Sequence, residues 1–187
     1  MKKQTKALYS LGLAAAPMMT GAIISSTPQL AIAHPPEPGQ GKVLLTVLKA
    51  TGLSKFDKKT RFKKKHHRPD FYLRITTNAR QGFVKSGKMN NKTVAYFNYK
   101  LAVKPPKKQL LSYGIKLLDS DRFNRDDLAD INPLPRKREL KIFYSPKSGL
   151  VFGPDGRQIG KHGQQITVKG NATKHRASIT FRIDRTH

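Results

Sequence analysis

An all-β, antiparallel β-sandwich is the fold class this sequence predicts. Seven short segments alternate apolar with polar residues, basic Gly- and Pro-rich turns separate them, and no long segment carries a persuasive helical period. In the first segment, Val43, Leu45 and Val47 form an apolar run with Leu44 and Leu48, partly alternating and ended by Thr51-Gly52. Phe71, Leu73 and Ile75 alternate with Tyr72, Arg74 and Thr76 in the second. The third, Thr93 to Val103, places Phe97, Tyr99 and Leu101 on one face, and the fourth, Leu110 to Leu118, alternates through Leu111, Tyr113, Ile115 and Leu117. Leu140 to Tyr144, Gln165 to Lys169 and Ala177 to Ile183 complete the set, with Ile179, Phe181 and Ile183 in strict period two. A turn or two of helix is expected around Arg125 to Ile131, closed by Asn132-Pro133.

The first thirty-three residues read as a secretory signal. Lys2, Lys3 and Lys6 form a basic start, an apolar run follows from Leu8, and Ala31-Ile32-Ala33 supplies a small-residue cleavage pattern. An uncleaved anchor is the alternative, but the apolar run bounded by Leu8 and Ile24 is short for a bilayer span. The expected organisation is a signal peptide over 1–33, a Pro/Gly-rich linker over 34–41 and one domain over 42–187. The expected destination is secretion, or the cell envelope or periplasm.

The chain carries a formal charge of +26, and losing Lys2, Lys3 and Lys6 with the signal would leave about +23. That excess implies an anionic partner: anionic membrane lipid, lipopolysaccharide, acidic glycan or nucleic acid. Export argues against nucleic acid as the main target. No cysteine is present, which excludes disulfides, a thiolate nucleophile and a thiolate zinc site, so the exported domain must rely on its core.

Against this basic background, five of nine aspartates crowd into twelve residues: Asp119, Asp121, Asp126, Asp127 and Asp130. Clustered carboxylates repel one another unless cations neutralise them, and oxygen donors are what a hard cation such as Ca2+ prefers. The same residues also suit a capped turn, since aspartate binds nearby backbone amides. An EF-hand register from Asp119 fails because it puts Phe123 at position five and Asn124 where glycine is needed.

The order of motifs resembles a C2 domain, the calcium-dependent phospholipid-binding β-sandwich family. Leu45-Thr46-Val47-Leu48-Lys49-Ala50-Thr51-Gly52-Leu53 matches L-x-V-x-x-A-x-x-L and leads to Asp57. Arg68-Pro69-Asp70-Phe71-Tyr72-Leu73 resembles the D-P-Y/F strand start, and Asp119-Ser120-Asp121 with Asp127 resembles D-x-D-x-x-x-x-x-D. The resemblance covers most of Lys42 to Ile183 and implies a C2-like sandwich of about eight strands. It also implies a Ca2+ site at Asp57, Asp70, Asp119, Asp121 and Asp127, contributed by two loops that meet at one end.

This chain departs from the family pattern in a basic insertion between the first two of those aspartates, in the lack of a tryptophan after Asn90-Asn91, and in Leu128-Ala129 where a glycine usually follows the last ligand. The inserted loop supplies a second expectation. Arg61, Lys63, Lys64, Lys65 and Arg68, with Arg122, would contact anionic headgroups, each contributing about 1 kcal/mol near the surface. Phe56, Phe62 and Phe123 would enter the interface beside them. Lys100, Lys104, Lys107 and Lys108 form another basic run, which serves either headgroup binding or solubility.

Remaining constellations carry less. His66-His67 would point to opposite faces of a strand and lacks a third ligand. His34, if freed by cleavage, would form a copper-chelating terminus, but neither His162 nor His175 is singled out as its partner. Hydrolase motifs of the G-x-S-x-G and H-E-x-x-H types are absent, and glutamate occurs only at Glu37 and Glu139. The expectation is therefore a non-enzymatic binding module, with a calcium-independent basic binder of glycan, lipopolysaccharide or extracellular DNA as its rival. No protein partner is implied.

Overall fold

A computed structural model describes residues 41–56, 68–107, 109–121 and 125–186. All of these fall within the compact unit Pro36–His187. The segments 1–40, 57–67 and 122–124, with residues 108 and 187, lie outside the description.

The described residues form eleven strands: β1 Lys42–Gly52, β2 Phe71–Thr77, β3 Arg80–Lys85, β4 Val94–Val103, β5 Leu111–Asp119, β6 Asp127–Ala129, β7 Leu140–Tyr144, β8 Leu150–Phe152, β9 Gln158–Lys161, β10 Ile166–Lys169 and β11 Ala177–Thr186. One sheet has the order β10-β11-β1-β4 and the other β3-β2-β5-β7-β8-β9, with β6 also paired to β5. Every strand pair is antiparallel. The two inward faces supply the core. Leu45, Val47, Ile179, Phe181 and Ile183 come from one sheet, and Phe71, Leu73, Ile75, Ile115, Leu117, Ile142 and Tyr144 from the other, each at 1% exposure or less.

The seven strands read from alternation all form. The imperfect alternation in β1 has a local cause: its register to both neighbours shifts between Val47 and Lys49, so Leu48 is an extra residue. That bulge lets Val47 and Ala50, three apart, both face the core.

The expected sandwich of about eight strands is filled out to eleven among the described residues, because β3, β6, β8 and β9 also form; the last three of these have only three or four residues, too short to display a period. Two expectations are corrected. The expected helical turn around Arg125 to Ile131 is instead β6, followed by a parallel bridge between Asp130 and Arg176. Pairing with the end of β5 satisfies this backbone better than an isolated helical turn would. Finally, Phe56, expected to enter the interface, is a core residue at 5% exposure. No helix among the described residues is long and apolar enough to cross a membrane.

Candidate functional site

The start of β2, the end of β5 and the start of β6 meet at one end of the sandwich. Register places Phe71 opposite Asp119 and Asp119 opposite Asp127, so aspartates about fifty residues apart in the chain become neighbours. The Asp70 amide donates to Asp119 Oδ1 at 2.6 Å, and the Ser120 amide donates to the Asp70 carbonyl at 3.1 Å. Asp119 is buried, at 4% exposure. Asp70 accepts the Asn91 amide at Oδ1, 2.6 Å away, while Lys88 Nζ stands 3.9 Å from its Oδ2. Asp127 faces His175, with 3.6 Å between Oδ2 and Nδ1.

Asp126, which has no counterpart among the implied ligands, ties the loop to the sheet. Its Oδ2 accepts the Tyr72 hydroxyl at 2.5 Å and its Oδ1 accepts the Asp121 amide at 3.2 Å. Only the adjacency of Asp126 to Asp127 hinted at this role, because the contact with Tyr72 spans 54 positions. Burial, and then the hydrogen bond and negative charge of Asp126, push the Tyr72 phenol up to about 12. Since that value lies above the ordinary 10.0, the contribution is intact below pH 10 and is lost as pH rises through about 12. Denaturant midpoints measured through this alkaline range should fall, and Tyr72→Phe should flatten the fall. Tyr113, pushed up by burial and then by Tyr144, acts in the same direction and leaves a residual slope.

Phe56 closes the inner side of this end. Its ring meets Phe71 edge-on at 5.0 Å and stacks on His175 at 5.4 Å. Gly52 leaves it room, since a Cβ there would lie 3.2 Å from the ring. This packing corrects the expectation that Phe56 enters a membrane interface: a ring held between Phe71 and His175 is not presented to a lipid surface.

Of the five aspartates implied as ligands, Asp70, Asp119, Asp121 and Asp127 are therefore brought to one end, and Asp57 lies outside the described residues. The donor chemistry, all carboxylate oxygen, suits a hard cation. Geometrically the fit is incomplete, because no three His, Cys, Asp or Glu groups gather to hold a metal among the described residues. Arg68 is exposed beside Asp70. Arg61, Phe62, Lys63, Lys64, Lys65, Arg122 and Phe123 lie outside the description, as do His34, His66 and His67. Lys100, Lys104 and Lys107 are exposed, on or just after the edge strand β4, and Lys108 is outside the description.

No protein-family model matches this sequence, and no curated protein resembles it closely enough to count as a relative. Solved structures do. A C2 domain of plant extended synaptotagmin 1 matches with a TM-score of 0.52 at 15% identity, over 78% of this chain and 94% of that one. The paired C2 domains of extended synaptotagmin 2, solved with calcium bound, match with a TM-score of 0.49 at 16% identity, over 79% of this chain and 46% of that one. A further C2 domain structure matches with a TM-score of 0.46 at 13% identity, over 79% of this chain and 99% of that one. The likeness to the plant domain, at this level of identity, speaks to the fold alone, and the fold is C2-like.

Proposed function

We propose that this C2-like domain is an exported, non-enzymatic docking module for anionic surfaces, anionic phospholipid or another envelope polyanion, and that it takes Ca2+ to do so. The observation that carries the reading is the β2-β5-β6 register, which brings Asp70, Asp119 and Asp127 together at one end of the sandwich with Asp121 in the adjoining loop. Asp57 would complete the set. Bound there, the cation would supply positive charge toward phosphate oxygens. The protein's own residues prepare the site: the Asp70 and Asn91 amides orient the Asp119 and Asp70 carboxylates, and the Asp126 bonds hold Asp121 beside the strand end. The basic residues Arg61, Lys63, Lys64, Lys65, Arg68 and Arg122 would add attraction that needs no metal.

A second reading, metal-independent binding of polyanions, is favoured by two observations. Lys88 and His175 already face Asp70 and Asp127, and no three-donor cluster exists among the described residues. Net positive charge alone would then drive adsorption, with steep salt dependence.

Calorimetric titration of the protein with Ca2+ separates the two when paired with sedimentation on phosphatidylglycerol vesicles. The calcium reading expects binding heat that vanishes in Asp119→Asn/Asp121→Asn, and sedimentation that drops on adding chelator. Absence of heat, with sedimentation that resists chelator and declines with salt, would replace it by the second reading.

A further inference from the structure

Gly114 lies midway along β5, with Thr76 of β2 on one side and Lys141 of β7 on the other. Its neighbours Tyr113 and Ile115 face the core, so position 114 faces outward. It sits five residues from Asp119, about 17 Å along the strand, and is thus remote from the aspartate end. A Cβ at Gly114 would overlap Glu139 Oε1 and come within 2.6 Å of Thr76 Oγ1. The missing side chain therefore lets the Glu139 carboxylate lie across the sheet surface. Lys116, two residues on, holds the other carboxylate oxygen at 3.4 Å. Around this carboxylate opens a cleft of about 280 Å³, lined by Thr76, Ser112, Gly114, Glu139, Lys141 and Phe143.

The chemistry of this lining is selective. A carboxylate accepts hydroxyl donors and repels phosphate, and the neighbouring Lys116 is engaged by that same carboxylate. Lys141 and the Ser112 hydroxyl offer donors, the Thr76 hydroxyl, which donates to the Gly114 carbonyl at 3.3 Å, offers an acceptor, and the half-buried Phe143 ring offers an apolar platform. A mixed set of this kind, in a cleft at the small end of the ligand-site range, suits one compact ring bearing several hydroxyl groups. We infer that the cleft over Gly114 binds a neutral saccharide ring, stacked on Phe143 with vicinal hydroxyls donating to Glu139, as a free sugar or as the end unit of a surface glycan. The site is independent of the aspartate end and needs no cation.

Amide chemical shifts of the protein, followed while adding glucose, mannose, galactose and N-acetylglucosamine at millimolar concentration, test this directly. At least one sugar should perturb Gly114, Lys141 and Phe143, with affinity unchanged by chelator and reduced roughly tenfold in Glu139→Gln. Gly114→Ala should reduce it similarly by displacing the carboxylate, whose flexible end can give way without unfolding the sheet. Methyl glycosides distinguish the source: retained binding identifies a glycan end, and lost binding identifies a free reducing sugar. The inference is overturned if none of the four sugars perturbs these residues, if Glu139→Gln binds as well as the parent, or if inorganic phosphate perturbs them more strongly than any sugar.

Discussion

Gly170→Ala should cost about 3 kcal/mol of stability, lowering the melting temperature by roughly 6–12 °C. Gly170 is buried at the end of β10, and a Cβ there would overlap the Asp130 carbonyl oxygen and approach the carbonyl carbon and Oδ2 to 2.6 Å. None of these atoms is free to retreat. The Asp130 carbonyl accepts the Ala177 amide at 2.8 Å, its amide donates to the His175 carbonyl at 2.7 Å, and Oδ2 accepts the Ala172 amide at 2.6 Å. Asp130 Oδ1 accepts the Asn132 amide at 3.1 Å, and Asn132 in turn binds the backbone at Leu134 and Glu139. An alanine methyl would therefore push on a fully buried carboxylate that joins the β6 segment to the chain entering β11. Gly87→Ala is the control: nothing lies within 4 Å of the added Cβ, and its effect on thermal unfolding should be small.

Phe56→Ala should cost a similar amount, about 3–5 kcal/mol, as a large buried side chain is deleted and its contacts with Phe71 and His175 are lost. The informative measurement pairs chemical denaturation with vesicle sedimentation of the folded fraction. Core packing predicts a large loss of stability with unchanged vesicle binding per folded molecule. A variant of near-parental stability that binds vesicles weakly would instead restore Phe56 to the membrane-contacting set. Because His175 stacks on the same ring, loss of the Phe56 ring should also alter the His175 ring resonances, which reports the packing independently of vesicle binding.

Much of the candidate site is legible in the amino-acid sequence. Asp119, Asp121 and Asp127 share one short stretch, whose residue type suits a hard cation and a capped turn alike. Asp70 attaches to them only through the resemblance, and the register of β2 with β5 supplies the physical reason for the association. The role of Asp126 is not legible there. It depends on Tyr72 reaching across from another strand, and the two are separated by 54 positions. The approach of Lys88 to Asp70 and of His175 to Asp127 is equally hidden, since neither is near its aspartate in a recognisable motif.

By itself, the sequence determined the all-β class, the positions of seven strands and the acidic character of the loop, because alternation with period two and residue type are local properties. Tertiary structure decided what local pattern does not encode. Strands of three or four residues exist only through their pairing, which turned an expected helical turn into β6. Phe56 reads as a loop aromatic until Phe71, His175 and the bare surface of Gly52 enclose it. Glu139 and Gly114 have no evident connection twenty-five positions apart, and become a cleft only when β5 and β7 lie side by side. In each case the deciding energy lies in contacts between distant segments, and these follow from strand register rather than from any one segment's composition.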